Sequence, residues 1–325
     1  MPETALAFFV DLEPAVADFQ ESVIKGLSQT PKQLACKFFY DEVGLDLFSK
    51  ICGTEEYYVT RTELALMQKI GPELADLAGP RRTVIELGSG SDLKIRLLLD
   101  ALKAPAQYVP IDISPVHLRA SAEAVAADYP EIIVGAVCAD FTAPLSIPAD
   151  AIDNTVSRRL GYFPGSTIGN LMPAEAKAFL HGLRPLLGQD GVLIIGVDLQ
   201  KDTDRLNRAY NDAAGYTAAF NHNILHRIAG ELDASIDLAA FEHYAFYDEN
   251  EGRIEMHLRS ARRQTIRVGE ARFELSAGEL IHTEYSYKYT LDGFSALVES
   301  AGYLSPSRWT DAEDLFSIHF LTVAA

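Results

Sequence analysis

The chain has 325 residues, a formal net charge of −18 and 48% hydrophobic residues. This length and composition indicate a globular protein of one large domain or two ordinary ones. A surface this acidic repels phosphate backbones and anionic headgroups, so we expect neither nucleic acid nor a membrane as partner. The first residues lack a basic segment, and no apolar run approaches the roughly 20 residues that cross a bilayer. We therefore expect a cytoplasmic protein.

The cysteines and histidines do not predict a metal centre. Cys36, Cys52 and Cys138 are odd in number and contain no CxxC pair, a pattern typical of reduced thiols. His222 and His226 have helical spacing, but no carboxylate accompanies them in a metalloprotease arrangement. We expect no bound metal.

Residues 1 to about 62 have a helical pattern. Apolar residues recur three or four apart, as on one helix face, at Val16, Phe19, Val23 and Leu27. Thr60 and Glu63 resemble a capping box, which predicts the start of a second helix there.

From residue 83 to about 199, short β-rich runs alternate with helical stretches. The runs are TVIEL, YVPIDI, EIIVGAVCAD, GYFPGSTIGN and VLIIGVDL. This alternation predicts βα units and a parallel sheet with helices on both faces. Residues 200 to about 283 break the rhythm with a polar helix and antiparallel-looking strands, after which a helix and a strand return the chain to the sheet. The fold class is therefore α/β, doubly wound, with a late insertion.

The first predicted strand ends in a glycine-containing turn, VIELGSGSD. Gly88 and Gly90 allow the backbone to turn sharply and to approach a ligand closely. A nicotinamide fingerprint needs a third glycine at the position of Leu93, which argues against a dinucleotide. An acidic residue before a two-glycine turn instead resembles the first motif of class I methyltransferases.

Acidic residues also follow the next two predicted strands. Asp112 can accept hydrogen bonds from both ribose hydroxyls, although it could instead cap the following helix. Asp140 can accept from an adenine amino group, with the Phe141 ring beside the base. Because open α/β sheets bind ligands at the carboxyl ends of their strands, these positions together predict a nucleoside site.

Five long segments carry a wider resemblance. They are KFFYDEVGLDLFSKICGTEEYYVTRTE (37–63), GSTIGNL (165–171), KDTDRLNRAYNDAAGYTAAFN (201–221), RIEMHLRS (253–260) and TEYSYKY (283–289). Together they resemble the histidine Nα-methyltransferases of ergothioneine biosynthesis, from about residue 20 to the C-terminus. The resemblance implies a Rossmann-like class I methyltransferase sheet with a second, substrate-binding domain. Its segments would be 1–62 (substrate-binding, first part), 63–199 (S-adenosylmethionine-binding), 200–288 (substrate-binding, inserted part) and 289–325 (methyltransferase, C-terminal part).

The resemblance also implies roles for single residues. Contacts to S-adenosylmethionine are implied for Gly88, Lys94, Asp112, Asp140 and Phe141. Contacts to histidine are implied for Tyr57, Asn170, Tyr210, Met256, Glu284 and Ser286. Catalytic roles at the amine are implied for Tyr40, Gly165 and Asn170. Glu284 and Ser286 suit the two imidazole nitrogens, while Asn170 and Tyr210 offer neutral donors to the substrate carboxylate.

Each of these residues also has an ordinary structural interpretation. The tyrosines could be half-buried aromatics, Asn170 could cap the helix that starts at Pro173, and Glu284 could face solvent.

The expected activity is trimethylation of the histidine α-amine to hercynine by a monomer that also binds the mono- and dimethylated forms. Alternatives are an N-methyltransferase of another aromatic amino acid, such as tryptophan, and a non-catalytic S-adenosylmethionine-binding protein.

Overall fold

The structure is a computed structural model that describes residues 6–12, 18–89, 92–143, 145, 147, 151–152 and 158–324; Val16 and Gly90 lie outside them. The strands are β1 (Phe8–Asp11), β2 (Lys32–Gln33), β3 (Thr83–Leu87), β4 (Gln107–Asp112), β5 (Ile133–Cys138), β6 (Arg159–Phe163), β7 (Val192–Asp198), β8 (Phe241–Asp248), β9 (Arg253–Ser260), β10 (Gln264–Val268), β11 (Ala271–Leu275), β12 (Leu280–Tyr287), β13 (Tyr303–Thr310) and β14 (Phe316–Val323). The helices are α1 (Asp18–Leu27), α2 (Glu42–Cys52), α3 (Val59–Ala78), α4 (Asp92–Ala101), α5 (Pro115–Asp128), α6 (Pro173–Leu187), α7 (Thr203–Ala209), α8 (Tyr216–Glu231) and α9 (Leu291–Ser300). Short 3₁₀ turns occupy Cys36–Phe39, Thr167–Asn170 and Leu238–Ala240.

The chain folds into two compact units. Unit 1 comprises Met1–Pro14, Val59–Gln200 and Tyr289–Ala325, and unit 2 comprises Ala15–Tyr58 and Lys201–Lys288. Among the described residues, no helix has the length and apolar character needed to span a bilayer.

Unit 1 contains a mainly parallel sheet with the strand order β1-β5-β4-β3-β6-β7-β14-β13. The first six strands of this order, from β1 through β5, β4, β3 and β6 to β7, pair in parallel with their neighbours. Strand β14 is antiparallel to both β7 and β13. Every residue of β3 and β7 is buried, which explains why these strands are continuous apolar runs rather than alternating ones. The predicted α/β class and its late return to the sheet are confirmed.

The helical prediction for residues 1–62 is wrong at Lys32–Gln33, which forms β2, and at Phe8–Asp11. This segment forms β1, which pairs in parallel with β5 at the edge of the sheet and sets Phe8 opposite Gly135. A Cβ at Gly135 would lie 2.1 Å from the Phe8 ring, so the glycine makes room for that side chain. Four residues are too short to show a strand period, and the pairing partner lies far along the chain.

The capping box predicted at Thr60 and Glu63 is also wrong. Helix α3 begins at Val59, and Glu63 lies on its buried face with 1% exposure. Thr60 is half-buried on the same turn.

Unit 2 is built on a four-stranded sheet with the order β2-β12-β9-β8, accompanied by the hairpin β10-β11. Strand β12 pairs antiparallel with β9 and in parallel with β2. Asp41 caps α2 by accepting from the Gly44 backbone N–H at 2.8 Å, and it also accepts from the Asn223 amide of α8 at 2.7 Å. Asp41 therefore connects α2 to α8 within this unit.

Candidate active site

The glycine turn and the two predicted acids of unit 1 follow neighbouring parallel strands. Gly88 directly follows β3, Asp112 ends β4, and Asp140 lies two residues beyond the end of β5. Strand β3 pairs with both β4 and β6, so the strand order changes direction there. Such a reversal opens a crevice at the carboxyl ends of the strands, where doubly wound sheets bind ligands.

The groups at this edge fit a nucleoside. Gly88 has φ +79°, and a Cβ there would lie 3.4 Å from the Phe141 ring, so the glycine permits a close approach of backbone and ring. Burial raises the pKa of Asp112, whose Oδ1 accepts from the Ser114 N–H at 3.0 Å. The Ser89 hydroxyl is buried and has no hydrogen-bond partner among the described residues. Together they offer a carboxylate, an unpaired hydroxyl and an aromatic edge.

Asp140 is held in the same way as Asp112, and a ring of the core holds Phe141. Asp140 Oδ1 accepts from the Thr142 backbone N–H at 3.0 Å, which fixes the carboxylate in a tight turn. The Phe141 ring meets Phe163 edge-on, with centroids 5.7 Å apart. The backbone and the core of unit 1 thus orient both side chains.

Glu63 joins two of the predicted site positions in unit 1. Its carboxylate forms an ion pair with Lys94 Nζ at 2.6 Å and accepts from the Gly165 N–H at 2.9 and 3.0 Å. The side chain fits because Gly196 of β7 has no Cβ, which would lie 2.3 Å from Glu63 Oε1. The sequence does not reveal this role, since residues 63, 94 and 165 are far apart in the chain.

The turn after β6 contains two left-handed residues in succession. Gly165 has φ +79° and Ser166 has φ +58°. The Ser166 hydroxyl accepts from the Asp198 N–H at 2.9 Å, which stabilises a conformation that serine rarely adopts. Asn170 ends the following 3₁₀ turn and is half-buried. Helix α6 is capped at Met172 rather than at Asn170.

In unit 2, Glu284 and Ser286 alternate along β12 and therefore face the same side of the sheet. Met256 of β9 lies directly opposite Glu284, next to an irregularity in the register. Glu284 is 7% exposed, and burial raises the pKa of its carboxyl to about 7. The prediction that Glu284 could face solvent is excluded.

Ser286 belongs to a buried triangle of polar groups with Tyr210 and Lys288. The Tyr210 hydroxyl donates to Ser286 Oγ at 2.8 Å. Lys288 Nζ donates to Ser286 Oγ at 2.9 Å and to the Tyr210 hydroxyl at 3.0 Å. The sequence analysis did not single out Lys288, although it continues the alternation of Glu284 and Ser286.

Aromatic rings surround Tyr40 and Tyr57 in the same unit. Tyr40 meets Phe48 and Phe220 edge-on, with centroids 5.8 and 5.5 Å apart. Tyr57 meets Phe48 at 6.3 Å and Tyr210 at 6.2 Å. Burial, followed by the charge of Glu284, raises the pKa of Tyr40 well above its usual value. The phenol therefore stays protonated at neutral pH.

The fold can be compared with solved proteins. A structure from Thermobifida fusca, described as a candidate methyltransferase, matches with a TM-score of 0.50 and 13% identity, covering 96% of each chain. This likeness shows that the two chains share a fold. The class of the protein is shown by a family model, which identifies it as an S-adenosylmethionine-dependent methyltransferase. Residues 19–323 match the family described as histidine-specific, S-adenosylmethionine-dependent methyltransferases, and the chain belongs to that family.

Curated relatives agree with this membership. The chain is 42% identical over 320 residues to the histidine N-alpha-methyltransferase of Mycolicibacterium smegmatis, covering 97% of this chain and 98% of the relative. It is 32% identical to ergothioneine biosynthesis protein 1 of Neurospora crassa, covering 90% of this chain and 33% of that longer protein.

Proposed function

We propose that this enzyme transfers methyl groups from S-adenosylmethionine to the α-amino nitrogen of L-histidine, in the first step of ergothioneine biosynthesis. The mono- and dimethylated amines would return as substrates until the trimethylated product, hercynine, forms. Family membership and the similarity to a histidine N-alpha-methyltransferase support the substrate. A fourth round is excluded, since the nitrogen then has no lone pair.

The observation that carries the proposal is the pair of Glu284 and Ser286 on one face of β12. A buried carboxylate can accept from an imidazole N–H, and the hydroxyl can bond the second ring nitrogen. An apolar side chain would leave Glu284 without a partner, at a cost of about 2 kcal/mol or more. An indole has no second nitrogen for Ser286. The pair therefore favours histidine over tryptophan.

In unit 1, the proposed donor site consists of Gly88, Lys94, Asp112, Asp140 and Phe141. S-adenosylmethionine supplies a methyl group on a positively charged sulfur. Asp112 would accept from the ribose hydroxyls and Asp140 from the adenine amino group, with Phe141 beside the base. Gly88 lets the backbone approach the ligand.

The reaction needs a neutral amine whose lone pair points at the methyl carbon, so alignment is the main task of the protein. We assign Tyr40 the role of accepting a hydrogen bond from the amine, and the same role to the Gly165 carbonyl. Asn170 and Tyr57 would hold the rest of the amino acid backbone, Tyr210 would hold the Ser286 hydroxyl that bonds the ring, and Met256 would lie against the ring. A Tyr40→Phe enzyme that methylates histidine at the normal rate would remove Tyr40 from this scheme.

The test is a substrate panel. Purified protein is incubated with S-adenosylmethionine and each common amino acid separately, and mass spectrometry follows gains of one, two and three methyl groups. We expect gains on histidine alone, with the trimethylated form accumulating. Equal methylation of tryptophan would contradict the role of Glu284 and Ser286, and methylation of no amino acid would contradict the proposed substrate.

A further inference from the structure

Lys288 is a buried cation outside the set of residues expected from the sequence. Lys288 comes two residues after Ser286, which itself comes two residues after Glu284, and Lys288 is 3% exposed. Burying an ammonium group is costly unless hydrogen bonds and charge compensate for the lost water. At least two of its donors are used within unit 2, on Ser286 and Tyr210.

The hydrogen-bond directions in this triangle follow from the chemistry of the ammonium. An ammonium only donates, so both Ser286 Oγ and the Tyr210 oxygen must accept from Lys288. With the Tyr210 hydroxyl also donating to Ser286, the serine oxygen accepts twice. Its own hydrogen has no acceptor among the described residues of unit 2. That hydrogen is therefore available to a ligand.

We propose that Lys288 is a positioning residue that sets the protons of the histidine-binding pocket: it directs the Ser286 hydroxyl hydrogen toward the ligand and favours the ionised form of Glu284. This inference rests on the proposed function for the identity of the ligand. It makes Ser286 a donor and Glu284 an acceptor, which matches a neutral imidazole with one bare nitrogen and one N–H. An imidazolium ring has two N–H groups, so one of them would point at the hydrogen of Ser286 and two donors would oppose each other.

The charges around Glu284 agree with this role. Burial raises the pKa of the Glu284 carboxyl, and the charge of Lys288 opposes that rise. Among the described residues, the Tyr40 phenol also senses Glu284, and it stays neutral. Tyr210 lies against Lys288 as a hydrogen-bond partner, with the ammonium also 4.9 Å from its ring centroid. Lys288 is therefore the cation that favours the ionised carboxylate.

The first experiment needs no substrate. Glutamate side chains are labelled with ¹³C at the carboxyl carbon, and NMR follows their titration, with Glu284→Gln identifying the signal of Glu284. We expect Lys288→Met and Lys288→Gln to move the Glu284 midpoint upward by about one pH unit or more. Lys288→Arg keeps the charge and should leave the midpoint near that of the unchanged protein. A midpoint that does not move in either neutral variant would overturn the inference, whatever the substrate.

The second experiment measures histidine binding by calorimetry across pH 5.5 to 9. As the pH is lowered, we expect Lys288→Gln to begin losing affinity for histidine at a higher pH than the unchanged protein does. Lys288→Arg should restore the profile of the unchanged protein. A purely structural role would weaken binding equally at every pH. Circular dichroism selects folded variants, and Lys288→Gln serves if Lys288→Met does not fold. Absence of histidine binding by the unchanged protein would contradict the proposed function alone, because the NMR titration is independent of it.

Discussion

The proposed donor-binding residues of unit 1 and the proposed histidine-binding residues of unit 2 are organised in different ways. In unit 1, Gly88, Asp112 and Asp140 follow the ends of parallel strands, and hydrogen bonds from the backbone orient the carboxylates. In unit 2, Glu284 and Ser286 act within a buried set of side chains that includes Lys288. On this proposal, donor binding would depend on backbone geometry, whereas substrate selection would depend on which of the buried side chains carry hydrogens.

This difference predicts how each unit responds to substitution. A substitution at a strand end should weaken the binding of one ligand and leave the stability of the protein unchanged. A change in a buried charged network should alter pH dependence and stability as well as binding, because every member shares its protons with its neighbours.

Glu63 departs from this pattern in unit 1, since its carboxylate belongs to a buried ion pair. Glu63→Gln leaves the Lys94 ammonium, 11% exposed, without its ion pair and should lower the free energy of unfolding by about 4 kcal/mol. Urea denaturation measures this loss. The double variant Glu63→Gln/Lys94→Met removes both charges and should regain most of it. If the double variant is as unstable as the single one, the lost charge pair is not the cause.

Asp112→Ala should weaken S-adenosylmethionine binding about 100-fold, since two hydrogen bonds from ribose hydroxyls to a carboxylate would be lost. Calorimetry with S-adenosylmethionine measures the change. Glu123→Ala, on the outer surface of α5, is the matched control and should bind normally. An Asp112→Ala protein with unchanged donor affinity would show that the ribose is bound elsewhere.

Glu284→Gln should lower kcat/KM for histidine about thirtyfold, because a charge-assisted hydrogen bond to the ring is replaced by a neutral one worth about 2 kcal/mol less. Donor binding should not change. Glu242→Gln on the exposed side of β8 serves as the control. Full activity of Glu284→Gln toward histidine would separate this carboxylate from ring recognition.

The same substitution should change the pH dependence of stability. Because the Glu284 pKa is about 7 in the folded protein and lower when unfolded, the folded state binds the extra proton between about pH 4.5 and 7. The stability contributed by this group therefore falls as the pH rises through that window. Glu284→Gln removes this slope and should be more stable than the unchanged protein by about 3 kcal/mol at pH 8, with little difference at pH 4.5. Thermal unfolding at both pH values measures it, and equal differences at both would contradict it.

The sequence predicted well the features that arise from local patterns of residues. Buried apolar runs ending in Gly88 and Asp112 predicted the parallel sheet and its ligand-binding edge, because strand ends gather at one edge by topology alone. It failed where the partner is remote. Glu63 resembled a helix cap, since its partners Lys94 and Gly165 become neighbours only in the folded chain, and no sequence pattern singled out Lys288. The roles of Tyr40 and Glu284 in binding stay predictions.

The parallel pairing of β2 with β12 has a consequence for synthesis. Lys32 lies beside Ile281 in that pairing, so the sheet of unit 2 joins the beginning of the chain to residues made about 250 positions later. Contacts this distant in sequence slow folding, since a long loop must close before they form. A ribosome-bound fragment ending before β12 therefore carries an N-terminal segment whose partner strand does not yet exist. Because each unit consists of two or more separate segments of the chain, neither can be obtained alone by truncating the protein at one position.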